Sequence, residues 1–320
     1  MYRRHLVAGA LCAVALTTAA CGPVAPWSIQ TQQGDASLLS VSVADASHVW
    51  AVGGGPVYFF NGVSWITQAQ ELEAEPLDVS AVDASHVWAS GGDGAGMIWR
   101  FDGAGWAKQF KTDDRAVNVI SAADPTHVWA VGTNDTGANI YFFNGEAWSL
   151  QYSASLHVQD LFALDPMHAW AVVEDRTGAS SVYFFDGVTW TSRFQAPRGT
   201  VFLGISAADR SRAWAVGSHV PRGAGPEETT GVVYSFDGRS WNKQQEMPEQ
   251  MQKVCAVDSS HVWAAGGMGS SGPVYFFDGR SWKKQFDARE ALFDITARDA
   301  RHAWAAGGLG GIFVFEGATR

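Results

Sequence analysis

Six aspartate–histidine pairs recur with the spacing Asp-x-x-His: Asp45/His48, Asp83/His86, Asp124/His127, Asp165/His168, Asp258/His261 and Asp299/His302. A carboxylate beside an imidazole is the arrangement of a general base, or of a metal ligand with its orienting partner. A further copy of the same segment carries Asp209/Arg212 instead. A guanidinium keeps a hydrogen-bond donor at that place but cannot serve as a neutral metal ligand. Recurrence in every copy points to a local turn, in which Asp accepts backbone N–H groups and pairs with the ring. These residues are read as scaffold.

Function is better sought where the copies differ. Asp78, Asp160 and Asp294 each stand five residues before a repeat Asp, and Lys253 takes that place in the sixth copy. Two histidines, His157 and His219, fall outside the repeat, as does Tyr152. Loop carboxylates such as Glu174 and Asp175, with Tyr152 as nucleophile, would suit a glycosidase or sialidase-like reaction. Against that, the arginines outside the repeat (Arg115, Arg198, Arg222, Arg289) are scattered along the chain. Phosphate-binding glycine loops, a nucleophile elbow and a His-Glu-x-x-His zinc motif are all missing from the sequence. No cofactor and no metal are expected.

The elements that position these residues follow from the repeat. A Trp follows each His or Arg, at 50, 88, 129, 170, 214, 263 and 304; a second Trp, in Gly-x-x-Trp, falls at 65, 106, 148, 190, 241 and 282. This spacing suits a four-stranded propeller blade. Alternation reads an inner strand a (Leu77 to Val82), a strand b (His48 to Gly53), an apolar strand c (Val57 to Phe60) and a polar outer strand d from the second Trp. Asn61-Gly62, Asp102-Gly103 and their equivalents are expected to make a tight c–d hairpin turn with both central residues at positive φ. Lysines such as Lys108 and Lys283 suit the exposed outer edge. The seventh copy stops at Glu316-Gly317 without its second Trp, and Trp27-Ser28-Ile29-Gln30 matches the missing piece. The expectation is all-β: one seven-bladed β-propeller of four-stranded blades over 27–320, closed by an N-terminal strand 27–32 in the last blade.

Val79-Ser80-Ala81-Val82 followed by His86-Val87-Trp88-Ala89, an aromatic strand and Gly-x-x-Trp resembles tectonin-type repeats, which implies a lectin-like propeller. Asp278-Gly279-Arg280-Ser281-Trp282 is similar to the Asp-box of sialidase-like propellers, but lacks the residue between Asp and Gly. The likeness spans residues 27–317 and implies fold rather than ligand.

Arg3 and Arg4, the apolar run Leu6 to Leu16 and Thr18-Ala19-Ala20-Cys21 read as a signal peptide over residues 1–20. The Cys placement resembles a bacterial lipobox, although Thr18 departs from its aliphatic preference. Lipid attachment at Cys21, a short tether over 21–26 and an exported, membrane-anchored lipoprotein are expected, or secretion if Cys21 stays unmodified. Cys255 then has only Cys21 as a conceivable disulfide partner and is read as a packed thiol. The formal charge is −10, and more negative once Arg3 and Arg4 leave with the leader. That balance disfavours nucleic acid and leaves the lipid anchor as the only membrane contact. Variable b–c and d–a segments fall on one face of such a ring. The expected function is a non-catalytic binding or scaffold protein, a monomer, that recognises an envelope protein or glycan through this face. Asp78, Asp160, Asp294 and Lys253 would line the channel mouth there as an acidic rim, with His157, His219 and Tyr152 as further contacts.

Overall fold

The computed structural model describes residues 27–317 apart from Asp35, Ala224, Pro226 and Glu227. The expected leader, Cys21 and the tether lie outside the described residues. Among the described residues, twenty-eight strands form seven antiparallel four-stranded sheets arranged as blades. Blade one is β2 (Ser40–Asp45), β3 (His48–Val52), β4 (Val57–Phe60) and β5 (Trp65–Ala69). The next five repeat that order, with inner strands β6 (Pro76–Asp83), β10 (Ala116–Asp124), β14 (His157–Asp165), β18 (Thr200–Asp209) and β22 (Met251–Asp258). Blade seven takes β26 (Leu292–Asp299), β27 (His302–Gly307) and β28 (Gly311–Glu316) from the end of the chain and β1 (Ser28–Gln32) from its start. The propeller and its closure are therefore as the repeat implied.

Burial explains why the blades stack. The Trp after each His or Arg is at most 2% exposed and reaches the next blade. Trp129 meets Phe185 at 4.8 Å, and Trp263 meets Phe315 at 5.0 Å. Each such indole buries a large apolar surface between two sheets that could not hide it alone. Polar bonds back this up at some of the joints: Trp106 Nε1 donates to Gln68 Oε1 of the preceding blade at 2.8 Å, and Trp65 Nε1 to Gln30 Oε1 at 2.8 Å. The second bond crosses the point of closure, since Gln30 lies in β1.

The Asp-x-x-His pairs are structural turns. Asp83 Oδ1 accepts the Ser85 N–H at 2.8 Å and lies 2.9 Å from His86 Nδ1. The pairs Asp45–His48, Asp124–His127, Asp165–His168, Asp258–His261 and Asp299–His302 span 2.7 to 2.9 Å. Four of the imidazoles, those of His48, His127, His168 and His261, also cover the aromatic strand of their own blade. His127 packs on Phe142 at 5.9 Å, His168 on Phe184 at 5.6 Å and His261 on Phe276 at 5.9 Å. With one ring nitrogen on the turn Asp and the ring face on a phenylalanine, these histidines are fixed as scaffold.

The fifth copy needs a correction. The guanidinium of Arg212 was expected to replace the imidazole as donor to Asp209, yet the turn is held by its serine. Asp209 accepts from the Ser211 N–H and hydroxyl, both at 2.7 Å. The Ser211 hydroxyl holds the Asp209 carboxyl below its ordinary value against partial burial, joined by the Ser211 N–H and by the N–H and positive charge of Arg212. Arg212 is exposed at the start of β19 (Arg212–His219). A long, solvated side chain there can contribute charge without a fixed bond.

Partial burial would raise the Asp83 carboxyl, but the Ser85 N–H and the His86 ring outweigh it and hold it below its ordinary value. A depressed carboxyl contributes stability that is present above its unfolded value, near pH 4, and is lost as pH falls through the folded value. Asp83→Ala is expected to lower unfolding free energy by about 1 kcal/mol at pH 7. The deficit should shrink as pH falls below about 4, as read by urea unfolding at pH 7 and in acid.

The c–d turn differs from expectation. No residue other than glycine has positive φ among the described residues. At Asn61-Gly62 the glycine alone does (φ 88), and the side chain of Asn61 accepts the N–H groups of Val63 and Ser64 at 3.0 and 2.9 Å. Asp102, Asn144, Asp186, Asp237 and Asp278 repeat this. The side chain thus caps a longer loop, so its own backbone need not enter the left-handed region.

Candidate functional site

Strand a of blades two to seven carries a bulge just before its axial residue, as between Pro76 and Asp78, Val117 and Val119, and Leu292 and Asp294. The extra residue bends the strand and re-aims the side chains around it. Two rings result. The bulged residues Leu77, Asn118, Gln159, Leu203, Gln252 and Phe293, with Leu39 of blade one, border a cavity of about 210 Å³ at the loop-face mouth of the channel. One residue further on, Ser40, Asp78, Val119, Asp160, Gly204, Lys253 and Asp294 form a girdle around the axis. Asp78, Lys253 and Asp294 border both the mouth and a second cavity of about 130 Å³ deeper in the channel.

The expected solvated acidic rim is corrected here. Asp160 and Asp294 are 2% and 6% exposed, and each girdle carboxylate is bonded across to the next blade. Asp78 Oδ2 accepts the Ile120 N–H at 2.8 Å, Asp160 Oδ2 the Ile205 N–H at 2.9 Å, and Asp294 Oδ2 the Val41 N–H at 2.8 Å. Lys253 Nζ lies 2.8 Å from Asp160 Oδ1. Substituting Asn for all three aspartates would therefore alter the joints between blades as well as the charge at the mouth.

The girdle holds more carboxylates than cations. Burial pushes Asp78 up to about 6, against the pull of Lys253, and raises Asp294 as well. Burial alone would lower the Lys253 ammonium, but Asp160, Asp294 and Asp78 together hold it well above its usual value. Ser40 Oγ stands 2.6 Å from Asp78 Oδ1 and 2.9 Å from Asp294 Oδ2. One hydroxyl has one proton to give, so both contacts are hydrogen bonds only when one of the two carboxyls is itself protonated. A raised Asp78 fits that geometry.

A third ring escapes a reading by sequence alone. The hydroxyls of Ser42, Ser80, Ser121 and Ser206 accept the N–H groups of Ala81, Ala122, Ala163 and Ala256 in the next blade at 2.9 to 3.0 Å. Its signal is a serine three residues before the repeat Asp. Cys255 occupies this position in blade six, and burial pushes its thiol up to about 11, which leaves it protonated.

The remaining candidates are not brought to the axis. Tyr152 sits on β13 (Trp148–Ala154), the outer strand of blade three, packed with Leu156, Val158 and Tyr183. His157 is exposed at the start of β14 opposite Glu174, whose carboxylate accepts from Gln159 at 2.9 Å. Asp175 caps its own turn through the Thr177 and Ala179 N–H groups. His219 Nδ1 contacts Thr200 Oγ1 at 2.9 Å, away from the girdle. Tyr152 is thus packed among apolar side chains, while Glu174 is engaged by Gln159 and Asp175 by its own turn. Among the described residues, no group of three or more His, Cys, Asp or Glu side chains is placed to hold a metal ion. No helix among them is long and apolar enough to cross a membrane.

No family sequence pattern matches the chain, and no curated protein matches it in sequence. Solved structures do. YCF48 from Cyanidioschyzon merolae aligns with a TM-score of 0.66 at 15% identity, over 91% of this chain and 99% of that one. YCF48 bound to D1 peptide gives 0.66 at 15% identity, over 91% and 97%. The RRP9 WD40 repeats give 0.69 at 11% identity, over 92% and 100%. At these identities the likeness is one of fold: the chain shares the architecture of WD40-like and YCF48 seven-bladed propellers.

Proposed function

We propose that the protein is a non-catalytic binding scaffold of the cell envelope that recognises a protein partner through its loop face. The observation that carries this reading is the mouth. Bulged side chains ring it, the variable b–c and d–a segments surround it, and a charged girdle lies beneath. Rigid blades with a varied rim are how loops become binding surfaces. YCF48, whose propeller is similar, has been solved with a peptide bound, which supports a protein or peptide partner over other ligands. Export and a lipid anchor at Cys21 rest on the leader sequence.

The test is a cross-linking capture from envelope fractions with the full-length chain, identified by mass spectrometry and then titrated with the purified partner. Loop-face variants Leu203→Lys and Phe293→Ser are expected to weaken binding by about tenfold or more, as removal of interface anchors does. Lys108→Gln and Lys283→Gln, on the outer strands, should leave it unchanged. The reverse ranking would move the interface to the blade edges, and retention of glycans in place of protein would favour a lectin. Recovery of the untreated chain wholly in the soluble fraction, with Cys21 unmodified, would remove the anchor from this reading.

A further inference from the structure

The loop face carries an apolar patch joined to the mouth on one side. Met268 and Leu309 are 68% and 54% exposed at the tips of the b–c turns of blades six and seven. Both turns are tied to the same residue: Ala291 N–H donates to Gly269 O at 3.1 Å, and Gly308 N–H donates to Ala291 O at 2.9 Å. Gly308 lies so close to Phe293 that a Cβ there would come within 3.3 Å of the ring. Met268 and Leu309 therefore stand on turns that join at Ala291, two residues before Phe293, which borders the mouth together with Leu39, Leu77 and Leu203. Exposed apolar side chains gathered at a cavity are the mark of an interaction site, unlike single ones scattered on a surface.

The charge beneath selects the occupant. The girdle sets three carboxylates against one lysine, and that lysine is already engaged by Asp160. The mouth cavity of about 210 Å³ has room for the head of a long side chain. Apolar crests above an excess of buried negative charge complement a basic side chain with apolar neighbours, whose stem can lie along apolar walls.

We infer that the mouth docks a protein segment that presents one lysine or arginine between apolar residues, with its apolar residues on Met268, Leu309 and Phe293 and its cationic head above Asp78 and Asp294. This rests on the protein-scaffold reading and names the partner's chemistry. The cation would also favour the ionised state of the girdle, so binding and deprotonation are linked. Asp78, Asp160, Asp294 and Lys253 are the charged groups facing the mouth, and the Cys255 thiol borders the cavity below.

The experiment uses the purified full-length chain and four pools of short peptides, alike in having random apolar neighbours around a fixed centre of Arg, Lys, norleucine or Glu. At pH 8 the Arg and Lys pools are expected to bind at least about tenfold more tightly than the norleucine pool. That advantage should shrink at pH 5. Met268→Ser and Leu309→Ser, at exposed tips, should weaken all binding without shifting the melting temperature. Equal binding of basic and norleucine pools, no binding of any pool, or indifference to both tip substitutions would overturn the inference. If a partner captured as above still depends on Leu203 and Phe293 while the pools show no basic preference, this inference fails and the scaffold reading stands.

Discussion

Deletion of residues 27–32 is expected to abolish the single cooperative melt and to drive the protein into aggregates. β1 is the outer strand of blade seven, paired with β28 through Ser28–Val314 and Gln32–Gly311. Without it, β28 becomes an unpaired edge, the kind of surface on which chains associate. The loss is more than one strand's hydrogen bonds. Trp27 is 4% exposed against Trp263 (5.5 Å), Phe286 and Phe315. Gln30 also takes the indole N–H of Trp65 in blade one. Trp27→Ala alone should cost about 3–5 kcal/mol, as other buried aromatic truncations do, and Gln30→Ala about 1 kcal/mol. Scanning calorimetry and light scattering decide it: a deletion variant that melts as a monomer at the wild-type temperature would mean that β1 does not close the ring.

Lys253→Met should give the second large effect, and one that depends on pH. It leaves Asp160, a 2% exposed carboxylate, without the ammonium at 2.8 Å. Breaking a buried ion pair from one side costs about 3–5 kcal/mol. The sign of the pH dependence follows from Asp78, already pushed up to about 6 by burial with Lys253 pulling the other way. A carboxyl with a raised folded value contributes stability that is complete below its unfolded value and is lost as pH rises through the folded one. Removing Lys253 takes away the pull that opposes burial at Asp78 and Asp294, and raises both further. The deficit of the variant should therefore be greatest above about pH 6 and shrink towards pH 5. Urea unfolding of both proteins from pH 5 to 8 tests this. A deficit constant across that range would show that the girdle carboxyls do not respond to Lys253.

The two results separate what sequence spacing can and cannot convey. Trp27 and Trp65 to Trp282 mark blades because an indole between two sheets is demanded at the same place each time. The absence of its equivalent after Glu316 therefore locates the closure. The girdle is visible as a position, since Asp78, Asp160 and Asp294 break a pattern. Its environment is not legible. Alternation along strand a assumes an unbroken pleat, and a bulge before each girdle residue in blades two to seven turns the following side chain toward the axis. The c–d turns depart from expectation for a related reason. Asn-Gly and Asp-Gly fit two turn types, and the choice depends on whether the side chain caps the loop, as Asn61 does. Arg212 shows the same limit, because spacing names the donor at a turn but not whether its side chain or its backbone is used. Tyr152 stands out in the sequence because it lies outside the repeat, yet it fills space between blades three and four.

The pairing of Ser28 with Val314 has a consequence in time. Contacts within a blade join residues close in sequence, and each blade can form soon after its own residues are free to fold. The seal of the ring instead joins partners almost a whole chain apart, the slowest class of contact to form. As the chain emerges from a ribosome, β1 is out well before β28 and must wait for it. Until then six blades stand in an open arc with apolar faces at both ends, exposed to aggregation and proteases. The rate at which the last blade arrives sets how long the newly made protein stays vulnerable.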